Sequence, residues 1–258
     1  MKKITAMLVG TIWFATAFGC AKTPTEGGNA PKLVVGGALH EPFFYEDRNG
    51  NFAGIDVEIA TVACERMGYE AQFQNIEWID KDRLLSEGTI DCVWTCFSMN
   101  DREESYLWAG PYAQDREVVA VLAESEVKTL ADLEGKTIAV QMTSQAEKMF
   151  LSGDSYGLPQ LKSVFSLYDL AESVSAMRRK YVDACVGHEA VLINKLKAMA
   201  VEYRILDETL LYTNIGVAFD KSRTDDTCAR LNQTLGEMKK DGTIRAIFQK
   251  HGVEEVTI

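Results

Sequence analysis

Short apolar runs alternate with helix-like segments along most of this chain, and this alternation constrains its fold more than any other feature. Residues 33–36, 137–141 and 215–219 have the length and composition of buried strands. Helical spacing of apolar residues follows two of these runs, at 56–67 and 144–151. This order of elements predicts an α/β fold with mostly parallel sheets flanked by helices.

The same pattern occurs in both halves of the chain, which indicates two similar lobes. Residues 90–93 read IDCV and residues 182–186 read VDACV, each after a helix and a short turn. In open parallel sheets, ligands bind at the carboxyl ends of the strands. The remaining predicted elements are strands at 90–94, 118–122 and 182–186, helices at 81–87, 130–136, 169–179, 225–239 and 244–250, an N-cap at Asp56 and a hairpin turn at Asn49-Gly50.

The N-terminus is typical of an export signal. A basic start, Met1-Lys2-Lys3, precedes residues 4–18, which are apolar, uncharged and shorter than the roughly 20 residues of a membrane span. The run ends at AFGC, which resembles a bacterial lipoprotein cleavage box with Cys20 as the first mature residue. We therefore expect a signal peptide at 1–20, a flexible tether at 21–32 and a lipid anchor on Cys20. An ordinary secretory signal with an incidental cysteine is the alternative.

Charge and cysteine content exclude several classes of protein. A formal net charge of -11, dispersed along the chain, disfavours binding to nucleic acid. The five cysteines after Cys20 form no Cys-x-x-Cys motif, and histidine is scarce, so we expect no structural metal and read most of these cysteines as buried apolar residues. No P-loop, Gly-x-Ser-x-Gly or His-Glu-x-x-His motif occurs, and we expect a monomer without a cofactor.

An ordered set of distinctive segments covers nearly all of 33–252. The segments are 54–60 (GIDVEIA), Trp78 with 84–91 (LLSEGTID), 97–103 (FSMNDRE), 109–112 (AGPY), 130–140, 182–190 and 240–243 (KDGT). This set resembles the bacterial extracellular solute-binding proteins of family 3, which bind polar amino acids. The resemblance implies a two-lobed periplasmic-binding fold of type II, with lobe 1 at 33–117 plus 217–258 and lobe 2 at 118–216. It implies that two crossover strands join the lobes, which close on a ligand, and that the partner is the permease of an ABC importer.

The resemblance also implies a set of ligand contacts. Arg102 matches the family's carboxylate-binding arginine, although by composition alone it would be a surface residue of a charged loop. Thr143 and Ser144 begin a helix of lobe 2, where free N–H groups favour an anion. The remaining implied contacts are Thr95, Cys96 and Ser98 after a buried strand, with Trp78 as the aromatic wall that stacks on the ligand.

The chain departs from the family at the position that binds the ligand ammonium. His188 replaces the usual aspartate there, and a neutral histidine brings no negative charge. Three readings stay open: Glu189 supplies the carboxylate, Glu41 supplies it, or the ligand lacks a normal ammonium. His40 stands where relatives often carry a tyrosine against the ligand.

Three functions compete at this point. Capture of an amino acid for import requires only differential affinity for the closed state, and it is the function we favour. An enzyme on the same fold, such as a dehydratase of prephenate-like acids, would use His188 and Glu189 as acid and base. A sensory ligand-binding module is the third possibility, although such modules are usually fused to a membrane-spanning helix.

Overall fold

The structure is a computed structural model, and it describes residues 30–152 and 156–253 of the chain. The predicted signal peptide with Cys20, and the tether up to residue 29, lie outside the described residues. No helix in the described part of the chain combines the length and apolar character that a membrane crossing requires.

Eleven strands and seven helices follow one another along the described residues. The strands are β1 (Lys32–Gly37), β2 (Tyr45–Glu46), β3 (Phe52–Ala53), β4 (Glu70–Asn75), β5 (Cys92–Ser98), β6 (Leu107–Leu122), β7 (Thr137–Gln141), β8 (Ser163–Leu167), β9 (Ala184–His188), β10 (Tyr203–Ile205) and β11 (Leu211–Phe219). The helices are α1 (Ile55–Met67), α2 (Lys81–Ser86), α3 (Gln145–Leu151), α4 (Leu170–Arg178), α5 (Glu189–Ala198), α6 (Thr227–Lys240) and α7 (Thr243–Lys250).

Nine of the strands form one mixed sheet in the order β4-β1-β5-β11-β6-β9-β7-β8, with β10 also paired to β6. Within the first lobe β1 pairs in parallel with β4 and β5, and within the second lobe β7 pairs in parallel with β8 and β9. The long antiparallel strands β6 and β11 join the lobes. The predicted two-lobed α/β fold with two crossover strands is confirmed.

The crossover strands are longer than the sequence predicted. β6 spans 16 residues, whereas the apolar run predicted only 118–122. Its first part is interrupted by Gly110 and Pro111, and residues 114–117 (QDRE) are polar, so no continuous apolar run marks the strand before Val118. Because β6 and β11 run through both lobes without interruption, the boundaries at 117/118 and 216/217 stay a prediction.

The start of α1 corrects the sequence prediction for Asp56. The helix begins at Ile55 after Gly54, which adopts φ 121° and ψ 175°, a conformation accessible essentially only to glycine. Asp56 lies inside the first turn and does not cap the helix. Its carboxylate is buried and accepts hydrogen bonds from Tyr112 and from the backbone of Cys96 instead. The Asn49-Gly50 turn, by contrast, joins β2 and β3 as a hairpin, as predicted.

The core lies on both faces of this sheet and includes all five described cysteines. α1, α6 and α7 pack together on one face of the first lobe, and α4 and α5 pack together on the second. Four elements, α5, β4, β8 and β10, were not predicted from the sequence. In β4 and β8 most residues are only partly buried, so their sequences lack a continuous apolar run.

Candidate functional site

A cavity of about 40 Å³ lies between the two lobes, where β6, β7 and β9 meet. This volume is well below the roughly 300 to 1,000 Å³ of most ligand pockets, so only a small space remains between the lobes in this structure. The lining of the cavity combines apolar residues with a few polar groups. The apolar residues are Leu170, Val186, Gly187 and Val191, and the polar residues are His40, Glu117, Gln141, Ser144 and His188.

Arg102 bridges the lobes beside this cavity. Its guanidinium donates to the carbonyl of Ser98 in the first lobe (3.1 Å) and to that of Thr143 in the second (2.9 Å). It also lies 5.2 Å above the ring of Phe97. No carboxylate of the described residues forms an ion pair with it. Burial lowers the pKa of Arg102, so the charge is partly desolvated and its unused N–H donors favour an anionic partner.

Asp101 adds further contacts between the lobes. Its carboxylate accepts hydrogen bonds from Gln145 (2.9 Å) and Tyr156 (2.6 Å) and pairs with Lys148 at 3.2 Å. All three partners belong to the second lobe, whereas Asp101 follows β5 of the first. The structure therefore has its lobes in contact, which is the closed arrangement of such a fold.

The start of α3 is largely satisfied by its own side chains. The Ser144 hydroxyl accepts from the N–H of Glu147 (3.1 Å), and the Glu147 carboxylate accepts from the N–H of Thr143 (2.6 Å). The Glu147 carboxylate therefore already uses a backbone N–H group that could otherwise bind an anion at the start of this seven-residue helix. The Thr143 hydroxyl is buried and has no hydrogen-bond partner among the described residues. The sequence predicted Thr143 and Ser144 at this helix start, whereas the role of Glu147 was not predicted.

Three carboxylates are buried near the base of the cavity. Asp56, Asp115 and Glu117 are each no more than 5% exposed. Asp115 and Glu117 are two residues apart on β6, so their side chains point to the same face. His188 lies directly opposite Glu117 on β9. Its Nδ1 is 3.1 Å from a carboxylate oxygen of Asp115, and its Nε2 is 3.7 Å from one of Glu117.

Burial and these contacts shift the pKa values of two of the buried carboxylates and of His188. Burial raises the pKa of Asp56 to about 7, although hydrogen bonds from Tyr112 and Cys96 oppose this change. Burial likewise raises the pKa of Glu117. Burial disfavours the charged form of His188, but its contacts with Cys96, Glu117 and Asp115 outweigh burial and hold the His188 pKa well above its usual value. His188 therefore forms a cationic link between two carboxylates.

His40 behaves in the opposite way. Burial, and then the charge of His188, lower the pKa of His40 to about 4, so its ring is neutral near pH 7. The ring packs edge-on to Trp78, with 6.4 Å between the ring centroids. Trp78 in turn contacts Phe97 and Lys81. This corner of the cleft is thus aromatic, and the nearby Lys81 pairs with Asp82 at 3.2 Å.

The two glutamates offered as substitutes for the missing aspartate do not reach the cavity. Glu41 is exposed to solvent. Glu189 makes a two-pronged ion pair with Arg116, one contact of which is 2.6 Å, and it lines a separate surface pocket. Arg116 points to the opposite face of β6 from Asp115 and Glu117.

Three other predicted contacts lie inside β5 and not after it, because the strand extends to Ser98. Thr95 donates its hydroxyl to the carbonyl of Ala38 (2.8 Å), and Ser98 is buried beside Asn100. Cys96 has a positive φ of 46°, and its thiol lies 3.8 Å from Asp115. Of these three side chains, Cys96 thus lies beside the buried carboxylate of Asp115, whereas Thr95 uses its hydroxyl in a hydrogen bond to the backbone.

Comparison with known proteins identifies the family. The model of the bacterial extracellular solute-binding proteins, family 3, matches residues 33–254. The chain belongs to this family. Among curated family 3 relatives, the probable amino-acid-binding protein YxeM of Bacillus subtilis is 25% identical over 100% of this chain and 98% of its own length. The L-cystine-binding protein TcyA of the same organism is 27% identical over 87% of this chain and 82% of its own.

Solved structures agree with this assignment. Tv2483 bound to L-arginine is 26% identical, with a TM-score of 0.77 over 85% of this chain and 89% of its own. A substrate-binding protein from Streptococcus pneumoniae with bound histidine has a TM-score of 0.79 at 24% identity over 88% of this chain and 94% of its own, which supports the fold. Like the other members of family 3, the chain is an extracytoplasmic solute-binding protein of an ABC transport system.

Four residues of the cleft were not predicted from the sequence. Asp115 and Glu117 carry a readable signal, since acidic residues at alternate positions directly before the apolar run 118–122 fall on one face of a strand. Glu147, three residues after Ser144, is the second half of a capping box. Gln141 ends a predicted strand, which is where ligand contacts of parallel sheets occur.

Proposed function

We propose that this protein binds a zwitterionic α-amino acid in the cleft, as a monomer, and presents it to an ABC importer. Arg102 carries this proposal, because a partly desolvated guanidinium that touches both lobes and has no carboxylate partner among the described residues is suited to an α-carboxylate. The amino-acid ligands named for the family 3 relatives and solved structures support it.

Closure follows from the same contact. The Arg102 donors belong to the first lobe, and the carbonyl that one of them binds belongs to Thr143 of the second. A ligand carboxylate at Arg102 would be enclosed only when the lobes meet, so it binds the closed state more tightly than the open one. That difference in affinity shifts the population towards closure, which the permease can recognise.

Binding without catalysis is part of the same proposal. The enzymatic alternative would use His188 and Glu189 as an acid–base pair. Glu189 is held by Arg116, and His188 is bonded to Asp115, so the two do not act on one ligand in the cleft. A solved ancestral amino-acid-binding protein, described as a precursor of cyclohexadienyl dehydratase, is 23% identical and shows only that the fold is shared.

A thermal-shift screen tests the proposed function. We expect at least one L-amino acid, from a panel of the proteinogenic L-amino acids and L-cystine, to raise the melting temperature of the protein, because a ligand that binds only the folded state stabilises it. Each corresponding free carboxylic acid without the amino group serves as a control. A panel in which no amino acid raises the melting temperature would contradict the proposal.

The lipid anchor is a proposal that rests on the sequence at Cys20. We expect the wild-type protein to sediment with membranes after cell lysis and the Cys20→Ser variant to move to the soluble fraction, because a thioether-linked lipid requires the cysteine sulfur. Thr23→Ser, within the predicted tether, is the matched control and should stay with the membranes. Retention of Cys20→Ser in the membrane fraction would contradict the anchor.

A further inference from the structure

Glu117 is a buried carboxylate with an unused oxygen at the base of the cavity. The residue is 2% exposed, and its Oε2 has no hydrogen-bond partner among the described residues. Its other oxygen is 3.7 Å from His188 Nε2, which is a long contact. A buried carboxylate oxygen without a hydrogen-bond partner is costly, and native structures rarely keep one without a functional reason.

The neighbours of the Glu117 carboxylate include more acidic groups than cations. Asp115 on β6, Asp56 on α1 and the neutral thiol of Cys96 on β5 face the same cluster. Among the described residues, the cation in contact with Glu117 is His188 on β9, which is nearer to Asp115. Arg102 interacts with Glu117 only at a distance, and the neutral His40 also lines the cavity.

We propose that Glu117 binds the ammonium group of the ligand and so takes the role that the family assigns to the position of His188. This inference rests on the proposed function, since it assumes an amino acid in the cleft. The free Oε2 of Glu117 accepts from the ammonium, while Arg102 holds the carboxylate of the same molecule. His188 is hydrogen-bonded to Asp115 and lies opposite Glu117 on the neighbouring strand. These two contacts position Glu117.

The charge balance favours this arrangement over a ligand without an amine. Glu117 and Arg102 attract each other without forming an ion pair, so the cleft has separated groups of opposite sign. A zwitterion placed between them neutralises both. Glu41 and Glu189 are excluded as partners by their positions, one in solvent and the other paired with Arg116.

A metal ion is the other cation that this cluster could attract. Ligand atoms of Cys96, Asp115 and His188 lie within 4.8 Å of one another. However, these side chains are hydrogen-bonded among themselves, and burial raises the pKa of the Cys96 thiol to about 12, so the sulfur keeps its proton. The unpartnered oxygen belongs to Glu117, which faces the cavity, so the structure favours the ammonium.

Calorimetric titration of three proteins tests the role of Glu117. The probe is the amino acid that gives the largest thermal shift with the wild type, together with the same acid lacking its amino group. We expect Glu117→Gln, which keeps the shape and removes the charge, to bind the amino acid about 30-fold or more weakly. The deaminated acid should bind wild type and Glu117→Gln alike. Glu189→Gln is the matched control and should bind the amino acid as the wild type does.

The outcomes separate this inference from the function on which it rests. If no amino acid binds the wild type, the proposed function fails and this inference fails with it. If the amino acid binds Glu117→Gln as tightly as the wild type, or if Glu189→Gln is the variant that loses affinity, this inference alone is overturned. A rise in melting temperature with Zn²⁺ alone that Cys96→Ser abolishes would assign the cluster to a metal and also overturn it. Comparison of the two acids on the wild type needs no variant and covers the case of a variant that fails to fold.

Discussion

Replacing Arg102 with alanine is expected to weaken amino-acid binding by about 2–5 kcal/mol, which is the usual loss when one partner of a buried charge pair is removed. The guanidinium is partly buried beside Phe97 and, among the described residues, has only carbonyl partners at Ser98 and Thr143, so its removal takes away the cation that would hold the ligand carboxylate in the cleft. The variant also loses a hydrogen bond between the lobes, which disfavours the closed state.

Isothermal calorimetry with the best amino acid of the thermal-shift screen measures this loss. Arg83→Ala is the matched control, because it removes the same charge from the same lobe at an exposed site on α2, where Arg83 pairs with Asp80 and Glu87. The control should keep the wild-type affinity. An Arg102→Ala protein with unchanged affinity would refute the assignment of Arg102 to the ligand carboxylate.

Gly54→Ala is expected to destabilise the fold by about 3 kcal/mol or more. A Cβ on residue 54 would lie 2.3 Å from the carbonyl oxygen of Phe43 and 2.6 Å from its carbonyl carbon, both of which are backbone atoms that cannot move aside. The backbone conformation of residue 54 is also one that alanine rarely adopts. Both effects act at the start of α1, where Asp56 joins the buried cluster.

Urea unfolding of the ligand-free protein checks this expectation. Gly50→Ala is the control, since residue 50 has a positive φ of 80° but no atom within 4 Å of the added Cβ. It should cost only about 1 kcal/mol, the strain of the left-handed backbone alone. Equal losses in the two variants would mean that the close approach of Phe43 to Gly54 does not matter for stability.

The cleft shows how far reasoning from the sequence can reach. Arg102 could be nominated because it lies in a recognisable segment, and the structure places it between the lobes. The substitute for the missing aspartate could not be identified, because nearness in sequence suggested Glu189, whereas strand pairing places Glu117 opposite His188 across 71 positions of the chain. Glu189 follows His188 directly, but it turns away to Arg116.

The sequence by itself determined the alternation of strands and helices and the two-lobed family fold, because these depend on local composition, periodicity and ordered motifs. Only the tertiary structure decided the partner of each polar side chain. The pairing of β6 with β9 joins residues that are distant in sequence, and it determines which carboxylates are buried together and which are neutralised. Asp56 illustrates the difference: its position predicted a helix cap, whereas its burial against Tyr112 and Cys96 made it part of the acidic cluster.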